Sequence, residues 1–452
     1  MSLRIRVFVT AIPFVLIGCA ATYPMMPTPA LYTGAQAMPL FAAASARSQS
    51  TTLDLLFVTD RAHAKDKSEV APYTAARSRS IAFGSAMVRF GDNLSWDELV
   101  RKSLAPERTN PLYLRLGPTI ELGRFPPIPY EIAVGTDGMS RLPTTVEAHE
   151  KAKQALQDEI ARRLAIAPRK EVVLFVHGYN YTFEDAALTM GELCHFLGRD
   201  FVCAIFTWPA GGKRGQLLGY DFDTESSEYA VEDLLKVIRI IAGTPGLQRI
   251  HLLAHSRGTD TLATALSELS AEAYMRRRSL GRQFKIGNVV LMAPDIDGDV
   301  AVSKIFKVFS DPDLPFGEAA HPGASVEPDP HFKLTLYVSP DDKALATSGW
   351  LFGSIARLGR INPGMFTPHQ MKEMSTWGEA NVIQVRGTTD FFGHSYFESN
   401  PLVSADIIAM LRYGLEPNEP GRPLEQIAGP FWRIPARDAQ SPQKTSVGQL
   451  TP

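Results

Sequence analysis

Residues 250–258 read Ile-His-Leu-Leu-Ala-His-Ser-Arg-Gly, an apolar run ending in a serine that has Ala254 two positions before it and Gly258 two positions after. Ile250, Leu252, Leu253 and Ala254 have the continuous apolar character of a strand buried on both faces. Beyond the serine, Leu262, Ala265, Leu266 and Leu269 recur at helical spacing. A serine between such a strand and such a helix sits on a sharp, strained turn that frees its hydroxyl, and small residues two positions away let the backbone turn that tightly. The pentapeptide alone is common enough to arise by chance, so its weight depends on what surrounds it.

Working outward, the chain after Pro168 alternates apolar strands with amphipathic helices. Strands are predicted at 172–176, 201–207, 250–254, 286–292, 334–338 and 382–385, and helices at 183–197, 225–242 and 259–273. Val231, Leu234, Leu235, Ile238 and Ile241 mark one buried helix face. Upstream, 53–59, 81–90 and 130–134 read as strands and 144–165 as a helix. Alternation of this kind implies right-handed crossovers and a mostly parallel, doubly wound sheet with helices on both faces. Active sites in such sheets gather at the C-terminal ends of the strands.

A serine hydroxyl is too weak an acid to attack a carbonyl unaided; Ser256 needs a histidine base held in the right tautomer by a carboxylate. Both follow in the chain, each released by a strand. The 334–338 strand runs into Ser339-Pro340-Asp341-Asp342, and the 382–385 strand is followed by Gly393-His394-Ser395. Of ten histidines only His369 and His394 come later than that acid; His394 directly follows a strand and is the expected base, while His369 lies in a Pro-containing connection. Asp342 is the expected acid, with Asp341 capping or hydrating the turn. Asp295 and Asp297 follow another strand and are expected to shape the loop beside the pocket, with service as an alternative orienter left open. The tetrahedral intermediate needs donors: the Arg257 N–H at the helix start, and a second from His177-Gly178-Tyr179-Asn180, assigned to Tyr179 with Asn180 as the alternative. His177 is expected to bond within its loop, Thr182 and Asp185 to form a capping pair, and Trp208 either to pack in the core or to wall the pocket.

With 452 residues and 45% hydrophobic content the chain can bury a full core, and a net charge of -2 gives no basic excess for nucleic acid. The one tight basic cluster, Arg276 to Arg278, reads as a solvated helix end. No His-Glu-x-x-His, paired-Cys spacing or glycine-rich phosphate loop occurs, so no metal or other cofactor is expected.

The N-terminus carries a separate message. Arg4 and Arg6 precede an apolar stretch over 7–17, too short to span a bilayer comfortably but suited to a signal-peptide core, which ends in Leu16-Ile17-Gly18-Cys19. This resembles a bacterial lipobox, which implies removal of 1–18 and lipidation of Cys19; with Ala20 next, a diderm cell would place the protein on the outer membrane, facing the periplasm. Residues 19–50, rich in Ala, Pro, Ser and Met, read as a flexible tether, 51–413 as the main domain (51–168 before its core, 169–413 as the core), and 414–452 as a loosely ordered tail in which Phe431 and Trp432 dock locally. Cys194 and Cys203 read as two buried thiols on a helix and a strand rather than a bridge. The insertion 348–374, with Trp350, Leu351, Phe352 and Ile355, reads equally as a lid or as packed helix.

Taken together, Val176-His177-Gly178-Tyr179-Asn180, Thr207-Trp208-Pro209 through Gly219-Tyr220 and Asp223, Ala254-His255-Ser256-Arg257-Gly258, Ala293-Pro294-Asp295-Ile296-Asp297 and Ser339-Pro340-Asp341-Asp342-Lys343-Ala344-Leu345 resemble a bacterial branch of the α/β-hydrolase superfamily of unknown function. The resemblance covers roughly 53–412 and implies the α/β-hydrolase fold and a Ser256, Asp342, His394 triad. Ala254 stands where the general elbow has glycine, and Arg257 puts a large cation beside the serine, which would either pair with a neighbouring acid or narrow the pocket toward anionic or short substrates. The expected function is a membrane-tethered serine hydrolase acting on small-molecule or lipid-like carboxylic esters; amidase or acyltransferase chemistry would use the same constellation, and a binding scaffold would keep the fold without it.

Overall fold

Why the apolar runs become strands is plain from their burial. All residues of 172–176, 202–207 and 250–255 are buried, as expected for parallel strands covered on both faces. The computed structural model describes residues 23–42, 48–65, 72–212, 216–305, 307, 329–351, 357–377, 380–387 and 393–435. In chain order these give β1 (Tyr23–Pro24), β2 (Thr52–His63), β3 (Tyr73–Phe90), α1 (Trp96–Leu104), β4 (Tyr113–Arg124), β5 (Ile132–Gly135), β6 (Gly138–Arg141), α2 (Pro143–Ile166), β7 (Glu171–Val176), α3 (Phe183–Phe196), β8 (Val202–Thr207), α4 (Gln216–Tyr229), α5 (Val231–Ala242), β9 (Arg249–His255), α6 (Gly258–Met275) and α7 (Leu280–Phe284). They continue with β10 (Ile286–Met292), α8 (Gly298–Ile305), β11 (Lys333–Val338), α9 (Lys343–Leu351), α10 (Pro368–Trp377), β12 (Ala380–Gln384), α11 (Tyr396–Ser399), α12 (Pro401–Tyr413), β13 (Glu425–Ala428) and β14 (Phe431–Arg433).

Twelve strands form one sheet in the order β1-β4-β3-β2-β8-β7-β9-β10-β11-β12-β14-β13. From β2 to β14 every neighbouring pair is parallel, while β3, β4 and β1 extend one edge antiparallel. Two apolar layers flank the sheet. Leu156, Ile160, Leu234 and Ile238 pack on one face, and Phe183, Met190, Ile407 and Ile408 on the other. This is the doubly wound, mostly parallel architecture expected. The sequence places one helix over 225–242, whereas two helices meet at Ala230, which keeps helical dihedrals. Thr182 and Asp185 form the anticipated reciprocal cap on α3, and Arg276 to Arg278 are exposed.

Three expectations need correction. Residues 23–42 are not a tether: Met25, Met26, Tyr32 and Leu40 are buried, and Tyr32 donates to the Phe196 carbonyl at 2.5 Å. The apolar residues scattered through that Ala- and Pro-rich stretch bury against α3 and α12 instead of remaining in solvent. The described part of the tail is also structured. Phe431 is fully buried, β14 pairs with β12 from Val382↔Phe431, and Arg422 makes a buried pair with Asp406 at 2.7 Å. Finally, Cys194 and Cys203 form a disulfide with a Cα–Cα separation of 6.1 Å. Helix α3 packs directly on β8, and the short connection between them returns the two side chains to bridging distance.

In the insertion, α9 and two 3-10 turns (Leu358–Arg360 and Pro363–Met365) precede α10, and Leu358 and Ile361 are buried in the core. Phe352 and Ile355 fall outside the described residues, as do Cys19, the signal-peptide segment and 436–452. No helix among the described residues is long and apolar enough to cross a membrane.

Candidate active site

The end of β9 does what its sequence requires. Ser256 has φ +52°, a conformation costing a non-glycine residue about 1–3 kcal/mol that persists only where surroundings enforce it. Its N–H donates to the Met292 carbonyl at 2.9 Å, and its carbonyl accepts from Thr259 Oγ1 at 2.6 Å and the Asp295 N–H at 3.3 Å. Gly258 opens α6 directly against β7. A Cβ there would lie 2.2 Å from the His177 carbonyl oxygen and 2.8 Å from that of Val176, so only glycine fits.

Strand β11 delivers Asp342, which is fully buried, while Asp341 is exposed. Asp342 Oδ2 lies 2.7 Å from His394 Nδ1, and its Oδ1 accepts the Leu345 N–H at 2.9 Å. A carboxylate in this position fixes the proton on Nδ1 and leaves Nε2 for proton exchange. His255, the residue before Ser256, brings that imidazole to the elbow: its ring centroid is 5.0 Å from that of His394, and its Nε2 donates to the His394 carbonyl at 3.3 Å. Burial, reinforced by the neighbouring His394, pushes the His255 pKa well down, so it remains neutral. His369 lies exposed on α10.

The loop after β7 approaches from the other side. A Cβ on Gly178 would lie 2.6 Å from Ser256 Cβ. The Asn180 N–H donates to Asp223 Oδ2 at 2.9 Å, which removes it as an oxyanion donor and leaves the Tyr179 N–H of the two alternatives. His177 bonds within the loop region. Its Nε2 accepts the Trp208 N–H at 3.1 Å, so Nδ1 carries the hydrogen and donates to the Gly178 carbonyl at 2.9 Å. Burial first, then Arg61, holds its pKa well below the usual imidazole value. Of the two readings of Trp208, core packing is the one observed: the side chain is fully buried, stacks on His177 at 5.0 Å and donates to the His177 carbonyl.

Asp295 ties the surrounding loops together. It accepts Tyr220 Oη at 2.6 Å and Ser348 Oγ at 2.8 Å, and lies 3.6 Å from Arg357. Asp297 instead caps α8 through the Asp299 N–H at 2.9 Å. Of the two readings of Arg257, pairing with a neighbouring acid is the one observed: its side chain lies 3.2 Å from Asp260 and donates to Ser227 Oγ at 3.3 Å. Among the described residues no trio of His, Cys, Asp or Glu is grouped to hold a metal ion.

Two residues escaped the sequence reading of the site. Asp223 stood in the family resemblance without a role, and Arg61 gave no signal, because a charged residue near a strand end ordinarily reads as exposed. In fact Arg61 is 1% exposed, with its guanidinium spent on Thr207, Ala210 and Tyr181.

Fold and constellation can now be set beside known proteins. No curated protein matches the chain. Among solved structures, a Pyrobaculum calidifontis esterase aligns with 14% identity and TM-score 0.29, covering 60% of this chain and 93% of its own. An esterase B from Lactobacillus rhamnosis aligns with 15% identity and TM-score 0.22 (42% and 61%), and a phospholipase from Legionella pneumophila with 16% and 0.21 (50% and 41%). TM-scores this low carry nothing over from those proteins' substrates. The model of the family described as "Alpha/beta hydrolase of unknown function (DUF900)" matches residues 152–411, more than half of the chain and the strands that precede Ser256, Asp342 and His394. The chain therefore belongs to that α/β-hydrolase family.

Proposed function

We propose that this hydrolase cleaves carboxylic esters through an acyl-enzyme on Ser256. The observation that carries the reading is the 2.7 Å His394–Asp342 couple packed on His255, the residue that precedes a serine in a strained, positive-φ turn. Ser256 Oγ attacks the ester carbonyl as His394 Nε2 takes its proton, and buried Asp342 stabilises the imidazolium. The Arg257 and Tyr179 N–H groups hold the oxyanion. His394 returns the proton to the departing alcohol, then activates the water that releases the acid.

We further propose that the protein works at a membrane surface, anchored through lipidated Cys19. Residues 20–22 alone separate Cys19 from Tyr23, the first residue of β1. That leash spans at most about 14 Å, so an anchored enzyme would meet lipid-like esters in its own membrane.

Turnover of a short-chain chromogenic ester by wild type and by Ser256→Ala, His394→Ala and His369→Ala tests the chemistry. Activity lost in the first two and kept in the third supports it; activity surviving Ser256→Ala in a folded protein overturns it. Cys19→Ser should abolish incorporation of labelled fatty acid, and retained incorporation would refute the anchor.

A further inference from the structure

Two loops meet beside the elbow: 178–181 after β7, in which Gly178 lies against Ser256, and 208–212 after β8, in which Gly211 lies against Tyr181. Two buried groups of opposite charge tie them together. Arg61, at the end of β2, donates Nη2 to the Tyr181 carbonyl at 2.7 Å and Nη1 to the Ala210 carbonyl at 2.8 Å. Asp223, on α4, accepts on its single Oδ2 the Asn180 N–H at 2.9 Å and the Gly211 N–H at 3.4 Å. One cation thus collects a carbonyl from each loop, and one anion an N–H from each.

The backbone of both loops turns sharply at this junction. Asn180 has φ +61° and Gly211 φ +82°, and a Cβ on Gly211 would lie 2.9 Å from the Tyr181 carbonyl oxygen. Peptide planes in such loops can turn over with little movement of the chain, and a turned plane aims its N–H away. Here each plane is fastened. The Gly178 carbonyl and the Tyr179 N–H belong to one trans peptide and point opposite ways. His177 Nδ1 holds that carbonyl at 2.9 Å, so the Tyr179 N–H is aimed away from His177. The Trp208 N–H holds His177 Nε2 at 3.1 Å, with Arg61 Nη2 and Thr207 Oγ1 packed around that atom at 3.3 and 3.1 Å. The following plane is fixed by the Asn180–Asp223 bond.

We propose that Arg61, His177 and Asp223 are positioning residues that hold the Tyr179 N–H in its oxyanion-binding orientation before substrate arrives. This rests on the ester-hydrolase reading of the site. None of the three needs to touch substrate. Their effect is on how strongly the developing negative charge is bound, with little effect on the ground-state ester.

The test compares wild type, Asp223→Ala and Asp223→Asn, with Arg61→Lys as a second probe because loss of the buried guanidinium altogether endangers folding. Melting curves establish that each variant is folded. Kinetics on a short-chain chromogenic ester give kcat and KM, and a trifluoromethyl ketone, whose adduct with a serine carries an oxyanion, gives transition-state affinity. Asp223→Ala is expected to lose about 10²–10³ in kcat, the cost of one oxyanion donor, with KM changed less than about threefold and ketone affinity falling in parallel with kcat. Asp223→Asn, which keeps one acceptor oxygen, is expected to fall between. Asp223→Ala with wild-type kcat, or with kcat lost while ketone affinity is unchanged, overturns the proposal. A wild type that neither turns over ester nor binds the ketone overturns the ester-hydrolase reading and this proposal with it, a result distinct from failure of Asp223 alone.

Discussion

Gly178→Ala offers a controlled displacement of the nucleophile. Gly178 does not occupy the left-handed region, so alanine has no backbone penalty there. The added Cβ would instead meet Ser256 Cβ at 2.6 Å, the His255 carbonyl oxygen at 3.0 Å and His255 Nδ1 at 3.2 Å. Comfortable carbon–carbon contact requires about 3.5 Å, so Ser256 and the loop must separate by roughly 1 Å. Overpacking of one methyl costs about 1–3 kcal/mol, which a domain with two full apolar layers can absorb. A shift of that size at reacting atoms costs on the order of 10² in rate. The expected result is a folded protein with kcat/KM reduced about 100-fold toward a short-chain ester and with slower fluorophosphonate labelling. Gly258→Ala, which drives a Cβ into strand-end backbone at 2.2 Å, should lose stability as well. Wild-type kcat/KM in folded Gly178→Ala would refute the claim that this contact sets the nucleophile's position.

Further outcomes follow from individual contacts. Asp342→Asn should lower kcat on the order of 10⁴ by presenting the wrong histidine tautomer; ester kinetics within tenfold of wild type would contradict the Asp342–His394 assignment. The disulfide closes a loop of sequence separation 9, so Cys194→Ala with Cys203→Ala should cost up to about 3 kcal/mol, read as a lower denaturant midpoint, and no change would show the bridge to be dispensable. Burial holds His177, His195 and His255 well below the ordinary histidine pKa, so they fold neutral while the unfolded chain takes up protons near pH 6.5. Their contribution is therefore present above that pH and lost as pH falls below it, whereas Asp233, pushed up to about 6 by burial, acts in the opposite sense. His195→Gln should flatten the acid limb of a stability–pH curve by up to about 1.4 kcal/mol per pH unit, and an unchanged limb would show that His195 does not titrate on unfolding.

What could be read in advance were features that periodicity or chain order encodes. The strand at 172–176 is a continuous apolar run and those at 250–254 and 286–292 are mostly apolar, and in chain order the elbow, Asp342 and His394 each come after a strand. Strand β4 was missed because Gly117, Pro118 and Gly123 interrupt its alternation and one face is exposed at the sheet edge. The segment 23–42 was misread because composition describes a stretch on average, while a few apolar side chains such as Tyr32 and Leu40 decide whether it docks. The disulfide depends on where a helix end and a strand start meet in space, which spacing alone does not specify. Arg61 was invisible for a related reason: its carbonyl partners come from loops distant in sequence, so only the assembled sheet edge shows that its charge is fully used.

The central claim is that Ser256 is an activated nucleophile. The most direct measurement is mass-spectrometric mapping of the purified protein after reaction with a fluorophosphonate. A single phosphonyl adduct on the peptide containing Ser256, absent from Ser256→Ala and strongly slowed in His394→Ala, is the predicted result. A folded wild type that takes no adduct, or takes it on another residue, would contradict the account.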